Sequence, residues 1–119
     1  MRELNFERTV WAERQLAKMC PNNDIKKLGE VVTTDDFDKQ IDAIESMIII
    51  MNEASERKAH FLDNTHEMNV ITREELENLT ENELMTLSNK AFASFNEDGK
   101  TEIDTEPKKE SAEPQTKSI

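Results

Sequence analysis

The feature that most constrains the fold of this sequence is a continuous apolar run near its middle, at residues 47–51. Before the run, apolar residues recur three or four positions apart, as on one face of a helix. They are Phe37, Ile41, Ile44, Ile48 and Met51. A helix that is apolar on every side has to be covered on every side. We therefore predict a mainly α fold, a small helical domain around one long central helix that begins at Asp35 or Asp36 and ends near Leu62.

The composition limits both the size of the core and the class of partner. The chain has 119 residues, which favours one domain, with 35% hydrophobic and 34% charged residues, so the core must be small. The formal net charge is -11. Such a charge repels phosphate backbones and anionic membrane surfaces. We therefore expect no nucleic acid and no membrane as partners, and a protein partner with basic patches instead.

The expected compartment is the cytosol. Cys20 is the only cysteine, so no intramolecular disulfide and no oxidising compartment are required. The N-terminus has no basic segment followed by an apolar stretch, as a secretory signal would have. The central apolar run is also shorter than the ~20 residues that a membrane-spanning helix needs.

The first ten residues predict a short strand or an extended arm with one apolar face. Leu4, Phe6 and Val10 occupy even positions among polar neighbours. A single strand would leave its backbone groups unpaired. It could pair with the strand-like residues 69–71 or with another chain, which leaves self-association open.

Local signals predict four further helices. One spans residues 10–19 and ends before Pro21, and a short one is capped by Asn23. Two capping boxes, Thr72 with Glu75 and Thr80 with Glu83, start helices over residues 73–79 and 81–95. Residues 96–119 are polar and rich in Glu, Lys, Ser and Thr, and predict a disordered tail after a helical domain of residues 1–95.

Two arrangements of candidate metal ligands deserve a comparison with known sites. Residues 63–74 place Asp63, Thr65, Glu67 and Glu74 at ligand positions of an EF-hand loop, but Met68 stands where the sharp turn needs Gly. We read this segment as an acidic surface loop. His60, Asp63 and His66 lack the convergent spacing of a zinc site. We therefore expect no metal.

The sequence contains no pattern typical of an enzyme. Cys20 has no evident base beside it that could activate a nucleophile. Gly29 and Gly99, the only two glycines, lie too far apart for a phosphate-binding loop. We expect neither catalysis nor a cofactor.

The large apolar side chains are the candidates for partner binding. Methionine adapts to varied surfaces, and aromatic residues provide large contact areas. The residues that we predict to bind a partner are Leu4, Phe6, Val10, Trp11, Met47 and Met51. Core packing is the alternative for most of the large apolar residues, including Phe37 and Phe61.

The layout of the chain resembles the small tail assembly chaperones of phages and prophages of Gram-positive bacteria, over residues 1 to about 100. The resemblance is carried by short segments: Leu4-Asn5-Phe6 with Thr9-Val10, Cys20-Pro21-Asn22-Asn23-Asp24-Ile25, Ile48-Ile49-Ile50-Met51-Asn52, and the Thr-Glu-Asn-Glu-Leu helix at residues 80–84. It implies a non-enzymatic, cytoplasmic assembly factor. Chaperones of this family are thought to coat the long helical tape-measure protein until the tail tube polymerises around it.

The net charge supports an alternative function, an acidic mimic of nucleic acid that inhibits a DNA-binding protein. Such a mimic needs an ordered stripe of surface carboxylates. The central helix could supply one from Asp35, Asp36, Asp38, Asp42, Glu45, Glu53 and Glu56.

Overall fold

The structure, a computed structural model, describes the backbone of residues 2–100 and the side chains of residues 2–97. Its longest helix is α3, Phe37–Leu62, which confirms the predicted central helix. Asp36 caps it, accepting a hydrogen bond from the Lys39 amide at 3.2 Å, and Asp38 lies in the first turn, where the helix dipole favours negative charge. The middle of α3 is enclosed, and Met47, Ile48 and Met51 are fully buried.

Four shorter helices surround α3. They are α1 (Val10–Ala17), α2 (Leu28–Val31), α4 (Arg73–Glu77) and α5 (Glu81–Lys100), with two 3-10 turns, Pro21–Asn23 and Ile25–Lys27, between α1 and α2. The helices α1, α4 and α5 pack directly against α3. The predicted helical fold is therefore confirmed, with one core around one helix.

The predicted capping boxes are both present. The Glu75 amide donates to the Thr72 hydroxyl at 3.1 Å, and the Thr72 amide donates to the Glu75 carboxylate at 2.9 Å. The same pair of bonds joins Thr80 and Glu83. These reciprocal bonds satisfy amides that a helix start otherwise leaves unpaired, so they fix where α4 and α5 begin.

Four predicted helix boundaries differ from the structure, two of them because α1 and α4 end at Ala17 and Glu77, two residues before their predicted ends. The short helical segment after α1 is capped by Asp24 rather than Asn23, because Asn22 and Asn23 adopt the left-handed conformation, with φ of 57° and 59°. Asparagine tolerates this conformation better than most residues. At the other end of the chain, α5 continues through residues 96–100, which we had assigned to a disordered tail. The remainder of the predicted tail, residues 101–119, lies outside the described residues.

The N-terminal segment adopts the extended-arm alternative, and no strand forms within residues 2–100. Its backbone is bound by helices instead of by a neighbouring strand. The Glu7 amide donates to the Met51 carbonyl at 3.1 Å. Lys90 and Ser94 of α5 donate to the carbonyls of Leu4 and Phe6, at 2.9 and 3.1 Å. The arm therefore folds onto its own chain, between α3 and α5.

A buried asparagine of α3 joins the two non-helical segments. The Asn52 side chain, 1% exposed, donates through Nδ2 to the Asn5 carbonyl at 3.0 Å. Its Oδ1 accepts from the Ile71 amide at 2.8 Å. Residues 69–71 thus do not pair with the arm as a second strand; both segments bind the same amide group.

No helix within residues 2–100 combines the length and the apolar content needed to cross a bilayer.

We expect Asn52→Ala to lower the free energy of unfolding by about 2–4 kcal/mol, because it leaves a buried amide and a carbonyl without partners. Denaturant unfolding followed by circular dichroism measures this loss. Asn5→Ala is the matched control, since it removes an exposed amide side chain but keeps the carbonyl that Asn52 binds. Equal stability of Asn52→Ala and the natural chain would contradict this role of Asn52.

Candidate functional site

The six predicted partner-binding residues fall into two groups. Four of them, Leu4, Phe6, Met47 and Met51, are buried in the core, the most exposed being Phe6 at 8%. Val10 is 72% exposed, and Trp11 beside it is half-buried. The partner-binding role stays a prediction, and in this conformation only this second group can meet a partner without rearrangement.

Trp11 is covered by a cation from α3. The Arg57 guanidinium lies over the indole ring, 4.2 Å from its centroid, and also pairs with Glu53 at 2.8 Å. Phe61 follows one helical turn after Arg57, on the same face of α3. Trp11 of α1 therefore lies against α3 one turn before Phe61.

The most exposed large apolar side chains lie at the end of α3. Phe61 is 86% exposed and Leu62 73%, and Met68 in the following loop is 43% exposed. We call Phe61 and Leu62, the last two residues of α3, the C-terminal patch. Helical spacing is compatible with either a core or a partner-binding position for Phe61, because spacing alone does not show that the neighbouring helices stop short of this turn.

The loop after α3 is held in place by polar contacts. The His60 ring nitrogen Nδ1 lies 2.8 Å from the His66 carbonyl oxygen, and His66 Nε2 lies 2.9 Å from a Glu56 carboxylate oxygen. Burial would raise the pKa of Glu56, but hydrogen bonds from the Asn69 amide and the His66 ring outweigh it, so the pKa lies below its ordinary value. Side chains of α3 therefore fix the loop that follows the C-terminal patch.

The residues considered as metal ligands take part in these local contacts. Asp63 accepts bonds from both the amide and the hydroxyl of Thr65, at 3.0 and 2.7 Å. Glu74 lies in the first turn of α4. Among the residues that the structure describes, no three acidic, histidine or cysteine side chains converge as a metal site would need.

A second apolar surface lies at the other end of α3. A cleft of about 170 Å³ opens where the starts of α3 and α5 meet α4. Its walls are apolar and its polar lining is acidic. It is lined by Phe37, Ile41, Glu45, Leu76, Glu77, Leu79, Thr80, Glu81 and Leu84. We call it the N-terminal cleft; Phe37, at 60% exposure, is its most exposed apolar side chain.

Glu45 is a buried carboxylate in this cleft, only 2% exposed. One of its oxygens accepts from Arg73 at 2.8 Å, and Arg73 also binds Asp42 and Ser46. Burial and then a hydrogen bond with Glu77 raise the pKa of Glu45 to about 7, against the opposing effect of Arg73. A carboxyl at this position therefore holds a proton close to neutral pH.

The acidic stripe proposed on α3 is interrupted. Glu45 is buried, Asp42 pairs with Arg73, Glu53 pairs with Arg57, and Glu56 binds His66. Asp36 caps the helix. Five of the seven acidic residues considered for the stripe are thus buried or bound by other groups of the chain, and they do not form a row of free carboxylates.

Cys20 is buried and its Sγ lies 3.4 Å from the Leu16 carbonyl. Burial, followed by the nearby Asp24 charge, raises the pKa of the thiol, which lowers its reactivity.

Comparison with protein-family models, with curated proteins and with solved structures found no match to this chain.

We expect Glu45→Gln to change how stability depends on pH. A pKa raised from 4.5 to about 7 means that the folded state holds this proton more tightly, so this contribution to stability is complete at low pH and is lost as pH rises toward 7. Glutamine resembles the neutral form at every pH. The variant should therefore match the natural chain near pH about 5 and exceed it by about 1–3 kcal/mol near pH about 8.

Urea unfolding at the two pH values measures this difference. Glu67→Gln, which removes an exposed carboxylate from the loop after α3, is the control and should be nearly neutral at both. A variant equally or less stable than the natural chain at high pH would show that Glu45 is ionised without cost in the folded protein.

Proposed function

We propose that this protein is a non-enzymatic assembly chaperone that binds the helical tape-measure protein in the bacterial cytoplasm during phage tail assembly. The resemblance over residues 1 to about 100 supports this function. The single structural observation that supports it best is the exposure of adjacent Phe61 and Leu62, at 86% and 73%.

The C-terminal patch suits an amphipathic helical partner. Burial of its exposed apolar area stabilises a complex by about 25 cal/mol per Å². Binding of this kind depends on apolar area more than on one exact sequence, so similar helical segments can bind in the same way. A protein that coats a long helix needs many weak and similar contacts.

The acidic character of the chain fits the same function. With a net charge of -11, copies bound along one partner repel each other and remain hydrated. The coated partner would therefore stay soluble while its own apolar faces are covered.

We expect co-expression of the natural chain to keep the tape-measure protein of the same locus soluble. The double variant Phe61→Asp with Leu62→Asp should reduce the soluble fraction severalfold, because it replaces the apolar side chains of the C-terminal patch with charges. Since both positions are exposed, the variant should retain its melting temperature within a few degrees.

Asn64→Asp is the control, because it adds charge in the neighbouring loop and removes no apolar area. It should leave the partner soluble. An aggregated tape-measure protein in the presence of the natural chain would overturn the proposal. Inhibition of a DNA-binding enzyme by the natural chain, in that case, would favour the acidic mimic.

A further inference from the structure

We propose that the N-terminal cleft is a docking site for a lysine or arginine side chain that a helical protein partner presents beside an apolar residue. The cleft lies at the opposite end of α3 from the C-terminal patch. Phe37 at its outer end is about 36 Å from Phe61 along the helix, at 1.5 Å per residue. The inference therefore does not depend on the proposed function.

The shape of the cleft suits a long side chain with an apolar stem. Phe37, Ile41 and Glu45 follow each other at intervals of four residues, so they form one row along α3. The row begins at the exposed Phe37 ring and ends at the buried Glu45 carboxylate. Leu76 and Leu79 line the cleft with this row. Lysine and arginine place an aliphatic stem against such surfaces and carry the charge at the tip.

The charges that line the cleft are negative. Glu77 on α4 and Glu81 on α5 are exposed, and Glu45 lies at its buried end. Arg73 on α4 is the cation that contacts Glu45, and it is also bound by Asp42 and Ser46 of α3. Within residues 2–97 no other cation contacts Glu45 or lines the cleft.

One cation binds the Glu45 carboxylate. Arg73 donates to one of its oxygens at 2.8 Å. The remaining neighbour is the Glu77 carboxyl, and two carboxyl groups form a hydrogen bond only when one of them is protonated. The two carboxyl groups therefore stay together through a proton, and an entering ammonium or guanidinium would replace that proton by supplying donors to both groups.

Docking of a cation should therefore displace a proton. Because the pKa of Glu45 is raised to about 7, the empty cleft holds this proton below neutral pH and releases it above neutral pH. A cationic side chain favours the ionised carboxylates, so binding and proton release are linked. Affinity for a cationic partner should rise with pH between about 6 and about 8. The other charged groups near Glu45 are Arg73 and Glu77, which contact it, Glu81, which lines the same cleft, and Asp42, which binds Arg73.

The probe is a synthetic amphipathic helix with lysines beside a leucine stripe, and its sister peptide has glutamates in place of the lysines. Fluorescence anisotropy of the labelled peptides against the full chain measures binding. We expect the lysine peptide to bind at least about tenfold more tightly than the glutamate peptide, since like charges oppose docking. Its affinity should increase severalfold from pH about 6 to about 8 with the natural chain and stay constant with Glu45→Gln.

Matched variants distinguish binding at the cleft from attraction by the overall charge and from binding at the C-terminal patch. Phe37→Ala and Glu77→Gln should each lower the affinity for the lysine peptide about fivefold to tenfold. Phe61→Ala and Glu67→Gln make the same chemical changes elsewhere and should have little effect. Equal losses in both pairs, or no binding of the lysine peptide, would overturn the proposal, as would an affinity that does not change with pH.

Discussion

The fold depends on covering one helix whose middle is apolar on every side. α3 supplies Met47, Ile48 and Met51 to the core. The N-terminal arm and residues 69–71 help to cover it, and their backbone groups need hydrogen-bond partners that packing against helices does not by itself supply. Asn52 solves this problem from within the helix, because one side-chain amide binds the Asn5 carbonyl and the Ile71 amide together. Both polar atoms of this buried side chain thereby have a hydrogen-bond partner, which reduces the cost of burying them.

The same constraint explains which surfaces remain available. The N-terminal arm and the other helices cover the middle of α3, and its two ends are more exposed. Phe61 and Leu62 are exposed at the C-terminal end and Phe37 at the N-terminal end. The two ends differ in chemistry: the C-terminal patch is an open apolar surface beside a loop, and the N-terminal cleft combines apolar walls with carboxylates. A helical partner would meet different chemistry at each end.

Much of the fold follows from local sequence signals, because caps act over a few residues. Asp36, Thr72 and Thr80 start helices where their spacing predicts. The extended arm was one of two readings, since alternation shows an apolar face but not what binds the backbone. The burial of the arm depends on tertiary contacts, which local signals do not specify. Burial of Phe6 depends on α5, which lies more than 70 residues later in the chain.

The polar residues of the core and the exposed apolar residues were harder to foresee. Asn52 follows Ile48 by one helical turn, and Glu45 follows Ile41 by one turn, so each interrupts an apolar row. Those interruptions could have marked buried polar sites. The partners that satisfy them, Ile71 and Arg73, lie on segments whose positions local patterns do not specify.

Native-state amide hydrogen exchange tests most directly whether Asn52 makes the arm, the loop and α3 one cooperative unit. We expect the amides of Glu7 and Ile71, although outside helices, to exchange with nearly the same free energy of opening as the Ile48 amide in the middle of α3. Rapid exchange of the Glu7 and Ile71 amides beside a well-protected Ile48 amide would contradict it, because the two segments would then open without α3.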